Sequence, residues 1–290
     1  MPEWLIEFPS AIQLNIKDAI DNFVHYLVVN WEPFFDGVTK VLRSFLSQIG
    51  YVVEIIPWWL LIVLVFLLTW KVGRKLSRAL LYSALLFSIG AMGLWSLMNT
   101  TLTIVIASVI ISILIGFPLG ILVSSSNRSN VIMRPILDTM QTMPSFVYLI
   151  PAVMLLGLGN VPAVIATTIY AIPPMIRLTS HGIRQVDNEV VEAARAFGST
   201  RWQSLIKVQI PQALPTIMAG VNQTIMMAIS MVVTCSMIGA TGLGQEVLIS
   251  INRLETGRGF SAGISIVIIA IIIDRLTQGI VKKGEETNEQ

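Results

Sequence analysis

The residue types that most often carry out catalysis are few in this chain, and they are widely separated. The two histidines are His25 and His181, and the single cysteine, Cys235, lies in an apolar run. One cysteine permits neither an intramolecular disulfide nor a cysteine metal cluster. The phosphate-binding pattern G-x-x-x-x-G-K-[ST] does not occur, and the glycines within 239–244 have no lysine after them, as is typical of a turn between membrane spans. We therefore expect no catalytic residue, no metal and no cofactor site, and hence no enzyme.

One polar segment, in contrast, has the residue types that organise a short helix. Asp187 is a suitable N-cap, and Glu189 lies in the first turn, where the helix dipole favours an acid. Gly198 is suited to end the helix. Helical periodicity separates an apolar face from a more polar one. The apolar face has Val190, Ala193, Ala194 and Phe197, and the other has Glu192, Arg195 and Ala196.

A second short helix is predicted directly after the first. Thr200 and Gln203 have the spacing of a capping box. Because the residue before a proline disfavours helical backbone, we expect this helix to end at Ile210, before Pro211. Such a helix pair offers a surface to another protein, but a capped helix also keeps a long loop ordered. The residue types alone leave both interpretations open.

The elements around this segment are far more apolar. Of the 290 residues, 54% are hydrophobic and only 12% are charged, and the mean hydropathy is +0.76. Soluble domains carry about 25% charged residues, so the composition indicates a membrane protein. The first residues, MPEWLIEFPS, lack the basic start and apolar run of a cleavable signal peptide, and none is expected.

Seven stretches are long and apolar enough to be predicted as transmembrane helices. They are 55–71, 79–98, 101–123, 136–157, 159–178, 214–240 and 260–280. Two of them contain prolines that we expect to break their continuity, namely Pro144, Pro151, Pro162, Pro173 and Pro174.

The basic residues predict how these spans are oriented. If loops alternate sides from the first span onward, 14 of the 19 Lys and Arg residues fall on one side and five on the other. Basic loops stay in the cytoplasm. The N-terminus is therefore expected outside, and the C-terminus and the polar segment 187–210 inside.

The chain ahead of the first span has helical periodicity without enough apolar residues to cross a membrane. Two amphipathic helices are predicted in residues 1–54, and their apolar positions are Ile12, Ile16, Ile20, Phe23 and Leu27 in the first and Val38, Val41, Leu42, Phe45 and Ile49 in the second. They are suited either to the outer membrane interface or to packing on the bundle. After them we expect additional spans in 55–98, a core in 99–281, and a short cytoplasmic tail without regular structure in 282–290.

The polar segment resembles a known motif. Glu192-Ala193-Ala194, then Gly198, then IPQALP at 210–215, is similar to the EAA loop of ABC importer permeases, although Leu214-Pro215 lies slightly further along than in the shortest form. Further stretches resemble the glycine betaine and proline betaine branch of that family: DTMQTMPSFVYLIPAV at 138–153, GIRQVDNEVVEAARAFGS at 182–199, AGVNQTIMMAISMVV at 219–233 and IGATGLGQEV at 238–247. The resemblance covers about residues 100–280.

The resemblance implies an all-α fold, a polytopic transmembrane helical bundle of the type I ABC importer (MetI-like) permease class. It implies a homodimer in a bacterial inner or plasma membrane, two copies of a separate ATPase subunit that binds the ATP, and an extracellular substrate-binding protein. No nucleic acid is expected. The loop at about 182–212 would couple the permease to the ATPase through Glu192, Ala193, Ala194, Arg195, Phe197, Gly198, Pro211 and Pro215.

The path of a zwitterionic substrate is less clearly marked. Polar and polarisable residues in two of the spans are candidates for its lining, because irregular backbone is tolerated at membrane depth where it faces a cavity. These are Gln141, Thr142, Met143, Pro144, Tyr148, Asn222, Gln223 and Met226. Amide and hydroxyl side chains also link helices to one another. For two acids near span ends, Asp138 close to Arg134 and Asp274 next to Arg275, local salt bridges are favoured over ion coupling.

Two other functions remain open at this point. The chain could be an ABC importer permease for another small solute, such as an amino acid. It could also be a membrane scaffold that docks a cytoplasmic partner and transports nothing.

Overall fold

The computed structural model describes residues 16–73 and 75–288, and the side chains of residues 17–71 and 75–279. The described residues form helices joined by short turns and contain no strand. The helices are α1 Ile16–Asn30, α2 Glu32–Ile55, α3 Trp58–Gly73, α4 Leu76–Ala91, α5 Trp95–Ser124, α6 Asn127–Thr142, α7 Ser145–Leu156, α8 Asn160–Gln185, α9 Asn188–Ala196, α10 Arg201–Ser204, α11 Ile210–Cys235, α12 Leu243–Arg253 and α13 Thr256–Asn288. A π-helical turn, Leu205–Gln209, joins α10 to α11, and a 3₁₀ turn, Ser236–Ile238, follows α11.

Four helices among the described residues are long and apolar enough to cross a membrane individually. They are Trp95–Ser124, Asn160–Gln185, Arg201–Ile238 and Thr256–Gly279. They correspond to the third, fifth, sixth and seventh predicted spans. The first and second predicted spans are α3 and α4, which have 16 residues each and are therefore shorter than the roughly 20 residues of a typical span.

The predicted division between 79–98 and 101–123 is wrong by several residues. Helix α4 ends at Ala91, and α5 begins at Trp95. Gly93 lies between them with φ of +74°, a conformation that glycine adopts without steric cost. The turn is therefore at Gly93, and residues 99 and 100, which separate the two predicted spans, lie inside α5.

The predicted span 136–157 is not one straight helix. Helices α6 and α7 meet at 94°, and Met143, directly before Pro144, is extended with ψ of 131°. A residue that precedes proline avoids helical backbone, which explains the break at this point.

The predicted breaks at the other prolines are wrong, because these prolines lie inside continuous helices. Pro151 lies inside α7, Pro162 lies in the first turns of α8, and Pro173 and Pro174 lie inside α8, which remains helical for 26 residues. Neighbouring helices can hold such a segment in shape. Helix α8 meets this condition because it is largely buried between α5 and α11.

Helix α8 is the centre of the bundle and packs between α5 and α11. The α5 contact is close because α5 has a glycine at position 120. A Cβ atom placed on Gly120 would lie 2.6 Å from Thr179 Cβ and 3.0 Å from the Ile176 carbonyl oxygen. Small residues of this kind let membrane helices approach closely and gain dispersion contacts.

The second amphipathic helix packs on the bundle. Leu42 and Leu46 of α2 are buried in the same cluster as Ile104 and Leu149. Val41, which we predicted on the apolar face, is 69% exposed, because the buried stripe follows Leu42 and Leu46 instead. Helix α2 is bent by 85° from α3. Helix α2 is therefore packed on the bundle through this stripe.

The first amphipathic helix has a more open position. Helix α1 contacts α7 and α2, but Ile20 and Phe23 remain exposed. Ile12 and the side chain of Ile16, two of its predicted apolar positions, lie outside the described residues.

The predicted irregular tail at 282–290 is helical as far as it is described, because α13 continues to Asn288. The lysines and glutamates of this stretch are good helix formers, which is consistent with the continuation.

The contact at Gly120 predicts a large effect of a single methyl group. We expect Gly120→Ala to lower the free energy of unfolding by about 1–3 kcal/mol, the range for overpacking a tight interface. Thermal unfolding in detergent, followed by circular dichroism, measures this. Gly263→Ala is the matched control, since no atom lies within 4 Å of a Cβ placed there. Equal unfolding temperatures for the two variants would contradict the close α5–α8 contact.

Candidate functional site

Helix α9 begins and ends as its sequence predicts. The Glu189 amide donates to Asp187 Oδ1 at 2.9 Å, so Asp187 is the N-cap. At the other end Gly198 has φ of +86°. The amide of Gly198 donates to the Arg195 carbonyl at 2.9 Å, and the Ser199 amide donates to the Ala194 carbonyl at 3.1 Å. These bonds satisfy carbonyl groups that the end of a helix leaves free.

The start of the next helix is confirmed, but its predicted end is wrong. The Thr200 amide donates to Gln203 Oε1 at 2.8 Å, and the Gln203 amide donates to Thr200 Oγ1 at 3.3 Å, which completes the capping box. The chain then passes through the π-helical turn Leu205–Gln209 directly into α11. Pro211 lies in the first turn of α11, where proline is tolerated, so no break occurs at Ile210.

The consequence is a single helical element of 38 residues, Arg201–Ile238, that starts beside α9 and continues as a membrane-spanning helix. A π turn is a single-turn bulge within a helix, and here the Ile210 amide donates to the Leu205 carbonyl, which leads the chain into α11. The segment from α10 to the end of α11 is therefore one continuous helical element.

Helix α9 presents an apolar surface to the outside of the chain. Val191, which we had not placed on the apolar face, is its buried side chain. Of the predicted apolar face, only Ala194 is half-buried; Val190 and Ala193 are exposed, and Phe197 is 93% exposed. An aromatic ring left so open to solvent is uncommon unless another surface covers it.

The acid and base of α9 face a cavity of about 900 Å³ between α9, α10 and the adjacent ends of α5 and α8. Glu192 and Arg195 both line it, together with Arg184 of α8 and Trp202 of α10. The exposed apolar stripe and the charged pair thus occupy different sides of the helix.

The candidate path residues around the α6–α7 bend have different environments. Gln141 and Met143 are half-buried, whereas Thr142 and Pro144 are exposed. Tyr148 is buried, and its hydroxyl donates to the Met140 carbonyl across the bend. Tyr148 thus satisfies a backbone group that the break leaves free, which is a structural role for this side chain.

A ring contact holds Tyr148 in place from a neighbouring helix. Its ring meets that of Tyr170 of α8 edge-to-face, with 5.9 Å between the centroids. Edge-to-face pairs of this kind are favourable, so the bend is fixed against α8.

The candidate path residues on α11 also have different environments. Asn222 Nδ2 donates to Asp274 Oδ1 of α13 at 2.8 Å, and Gln278 Nε2 donates to the same oxygen at 2.7 Å. Asn222 therefore links two helices. Gln223 is exposed and Met226 is half-buried. Among the described residues, no hydrogen bond joins this group to the one at the α6–α7 bend.

The two acids near span ends are in ion pairs, but not both with the expected partner. Asp274 lies 3.9 Å from Arg275 Nε, as predicted. Asp138 pairs with Arg177 of α8 at 2.5 Å and not with Arg134 of its own helix. The close packing of α6 on α8 provides this partner, which sequence spacing within α6 does not reveal.

A set of hydrogen bonds joins several helices at the end of α11 that is far from α9, and the sequence analysis did not predict it. The Gly159 amide donates to the Ile238 carbonyl at 2.9 Å, and the Thr241 amide donates to Asn160 Oδ1 at 2.9 Å. The Leu243 amide donates to Thr101 Oγ1 at 2.9 Å. The glycine-rich stretch at 239–244 was the only signal for this junction, and we had interpreted it as a simple turn.

An ion-pair group beside this junction was also missed. Arg258 of α13 lies 2.5 Å from Glu246 of α12 and 3.1 Å from Glu255. It fixes the start of α13 against α12. The three residues are spread over a turn between helices, so helical spacing did not connect them.

Comparison with known proteins identifies the family to which this chain is similar. The family of inner membrane components of binding-protein-dependent transport systems matches residues 112–283. The chain is 46% identical over 283 residues to the glycine betaine/carnitine transport permease protein GbuB of Listeria monocytogenes, covering 96% of this chain and 99% of that one. It is also 46% identical over 278 residues to the glycine betaine transport system permease protein OpuAB of Bacillus subtilis, covering 95% and 98%.

Solved structures agree on the fold. A structure of the methionine ABC transporter MetNI in an inward-facing conformation matches with a TM-score of 0.58 and 21% sequence identity, over 64% of this chain and 93% of that one. The MetI-like helical bundle expected from the sequence is thus the observed fold. The chain belongs to the inner-membrane component family of binding-protein-dependent transport systems, and it is an ABC importer permease subunit, not an enzyme.

Proposed function

We propose that this chain is the translocating subunit of an importer for glycine betaine or a related quaternary ammonium osmoprotectant. The observation that carries the proposal is the 46% identity, over nearly the full length of both chains, to permeases named for glycine betaine transport. At 21% identity, the likeness to a methionine transporter speaks only for the fold. An amino-acid cargo therefore has less support than a betaine.

In this proposal, a separate subunit hydrolyses ATP, and its conformational change is transmitted to the permease through α9. The support is geometric. Phe197 and Val190 form an apolar stripe exposed at one end of the bundle, and a helix that lays such a face into a groove is a common recognition mode. Ala193 adds a small side chain that permits close approach, and Ala194 sits half-buried behind it.

The polar residues of α9 also contribute to the proposed coupling with the ATPase. Glu192 and Arg195 line the cavity between α9 and the bundle and are exposed, so in this proposal they contact the ATPase at the rim of the docked surface. Gly198 provides the bend between α9 and α10. Pro211 and Pro215, near the start of α11, follow the π turn and pass the displacement into the membrane.

The complete importer in this proposal contains two copies of the chain, two ATPase subunits and an extracellular substrate-binding protein. A two-fold permease dimer presents two α9 helices to two ATPases, which matches the symmetry of such assemblies. The N-terminus lies outside and the C-terminus in the cytoplasm, as supported by the 14-to-5 distribution of basic residues. In this orientation α9 lies on the cytoplasmic side, where ATP is available.

The substrate path is assigned to the α6–α7 bend and the neighbouring part of α11. Gln141, Thr142, Met143 and Pro144 at the bend, and Gln223 and Met226 on α11, supply polar or polarisable surface. Tyr148 and Asn222 hold the frame of this path, because both are engaged in bonds between or across helices.

A direct test uses proteoliposomes that contain the permease, its ATPase and its binding protein. We expect ATP-dependent uptake of radiolabelled glycine betaine, and we expect excess unlabelled proline betaine to compete more strongly than methionine. Uptake of an amino acid in place of betaine would support the other importer function. Intact complexes that transport neither class of solute would favour the scaffold interpretation.

Removing the exposed aromatic ring of α9 should uncouple the importer. We expect Phe197→Ala to weaken association with the ATPase subunit about tenfold or more, as for a central aromatic contact, and to reduce uptake in proportion. The measurement is ATPase binding to permease nanodiscs. Ile251→Ala is the control, since Ile251 is 64% exposed on α12, beyond the opposite end of α11. An unchanged affinity of the Phe197 variant would contradict docking through this face.

Two adjacent residues of α11 should respond differently to truncation. Asn222→Ala removes a donor to Asp274 and should destabilise the chain by about 1.5 kcal/mol, since Gln278 still donates to the same oxygen. Gln223→Ala should leave the unfolding temperature unchanged and raise the KM for glycine betaine uptake. Thermal unfolding and initial uptake rates separate the two effects. A Gln223 variant with normal KM would remove this residue from the path.

A further inference from the structure

Two of the membrane-spanning helices expose a surface that is suited to lipid. Helices α5 and α13 both expose large apolar side chains along their length. These are Ile106, Ile110, Leu114, Ile115 and Leu122 on α5, and Phe260, Ile264, Val267 and Ile271 on α13. Such side chains are favourable in contact with lipid tails, so these two faces need no protein partner.

Helix α11 exposes a different kind of surface. In the described stretch 215–235 it exposes Ala219, Gln223 and Ser230, and no large apolar side chain of that stretch is exposed. Gln212 is exposed in the first turn of the same helix. With 3.6 residues per turn these four positions fall within about 40° of one another. We call them the polar face of α11.

The Gln223 amide is not satisfied by the helix bundle. The adjacent Asn222 donates to Asp274 of α13, but the Gln223 side chain makes no hydrogen bond to any described residue. Gln223 lies near the middle of α11, and an amide among lipid tails without a partner is costly. The polar face therefore requires water or another polar surface in front of it.

Ser230 adds an acceptor to the polar face. Its hydroxyl donates to the Met226 carbonyl of the preceding turn at 3.0 Å. This bond uses the hydroxyl hydrogen and leaves the oxygen free to accept a further bond. An exposed acceptor is also more compatible with water or protein than with lipid tails.

A second copy of this chain has the surface that fits. Amide and hydroxyl groups both donate and accept hydrogen bonds, so the same polar face from a copy related by a two-fold axis is complementary to this one. The small side chain of Ala219 permits close approach of the two helices. The apolar faces of α5 and α13 stay in contact with lipid in such a pair.

We propose that the polar face of α11 lies opposite the same face of a second copy, and that the substrate passes between the two. This inference rests on the importer function proposed above, and it adds Gln212, Ala219 and Ser230 to the lining of the path. The path is incomplete in a single chain, because one copy supplies only one of the two α11 walls.

The composition of this wall fits a cargo without net charge. Residues 210–238 contain no acidic, basic or histidine residue. Gln223 has amide hydrogens that can be donated to a carboxylate. One turn further along, Met226 and Met227 are half-buried, and their flexible thioether groups adapt to methyl groups. A zwitterion of the betaine class presents both a carboxylate and N-methyl groups.

The test measures how readily water-soluble reagents reach single cysteines in proteoliposomes that contain the complete importer. Gln223→Cys and Ser230→Cys place a thiol on the polar face, and the second exchanges a hydroxyl for a thiol of similar size. Val267→Cys is the matched control, because Val267 is 55% exposed on α13. The native Cys235 is buried, and the unsubstituted chain gives its background. We expect a cationic methanethiosulfonate to modify the two α11 thiols at least about tenfold faster than the control, because the reactive thiolate forms in water and not among lipid tails.

A bismaleimide cross-linker tests the contribution of the second copy. We expect Gln223→Cys and Ser230→Cys each to link two permease chains on a denaturing gel, and Val267→Cys to link none. Excess glycine betaine should slow modification of Gln223→Cys, whereas methionine should not. The first readout depends only on the α11 face, and the second depends on the cargo.

Two results would overturn the proposal. Equally slow modification of all three thiols would mean that α11 faces lipid, and fast modification without any cross-link would remove the second copy from the wall. A different result would refute the proposed cargo and support the α11 face. It is that labelling and cross-linking occur as expected, while glycine betaine neither protects Gln223→Cys nor is taken up.

Discussion

The continuity of the helix from α10 into α11 is the constraint on which the rest of the structure depends. In the hydrocarbon region an unsatisfied backbone group costs several kcal/mol, so a membrane-spanning helix resists bending except where a special residue relieves it. Here the π turn Leu205–Gln209 leads directly into α11, and Pro211 lies in the first turn of α11, where proline is tolerated. Helix α10 and the membrane-spanning helix α11 are for this reason parts of one continuous helical element.

The same physics explains why proline positions alone were a poor guide to helix ends. Pro144 ends α6, since Met143 before it is free to become extended, whereas Pro173 and Pro174 are held within α8 by α5 and α11 on either side. The difference lies in the neighbours of each proline, which the sequence does not show. Local signals were reliable where the interaction is itself local, as for the Asp187 N-cap and the Thr200 capping box.

The candidate site shows the same difference: its local contacts could be predicted from the sequence, and its long-range contacts could not. The limits of α9 could be predicted because capping involves residues close in sequence. The exposed position of Phe197 and the burial of Val191 could not, because both depend on where α9 rests against the bundle. Likewise, the spacing of Asp138 and Arg134 suggested a pair within one helix, but Arg177, 39 residues later, is the partner.

Arg184 lies between two cavities, because it lines both the cavity of about 900 Å³ beside α9 and a second one of about 410 Å³ between α6 and α8. On one side it shares a wall with Glu192 and Arg195 of α9, and on the other with Arg134 and Ser180. A guanidinium has five donors in a fixed planar arrangement, so a group that binds some of them also sets the direction of the others. Contacts made in either cavity therefore involve the same side chain, directly before the chain turns from α8 into α9.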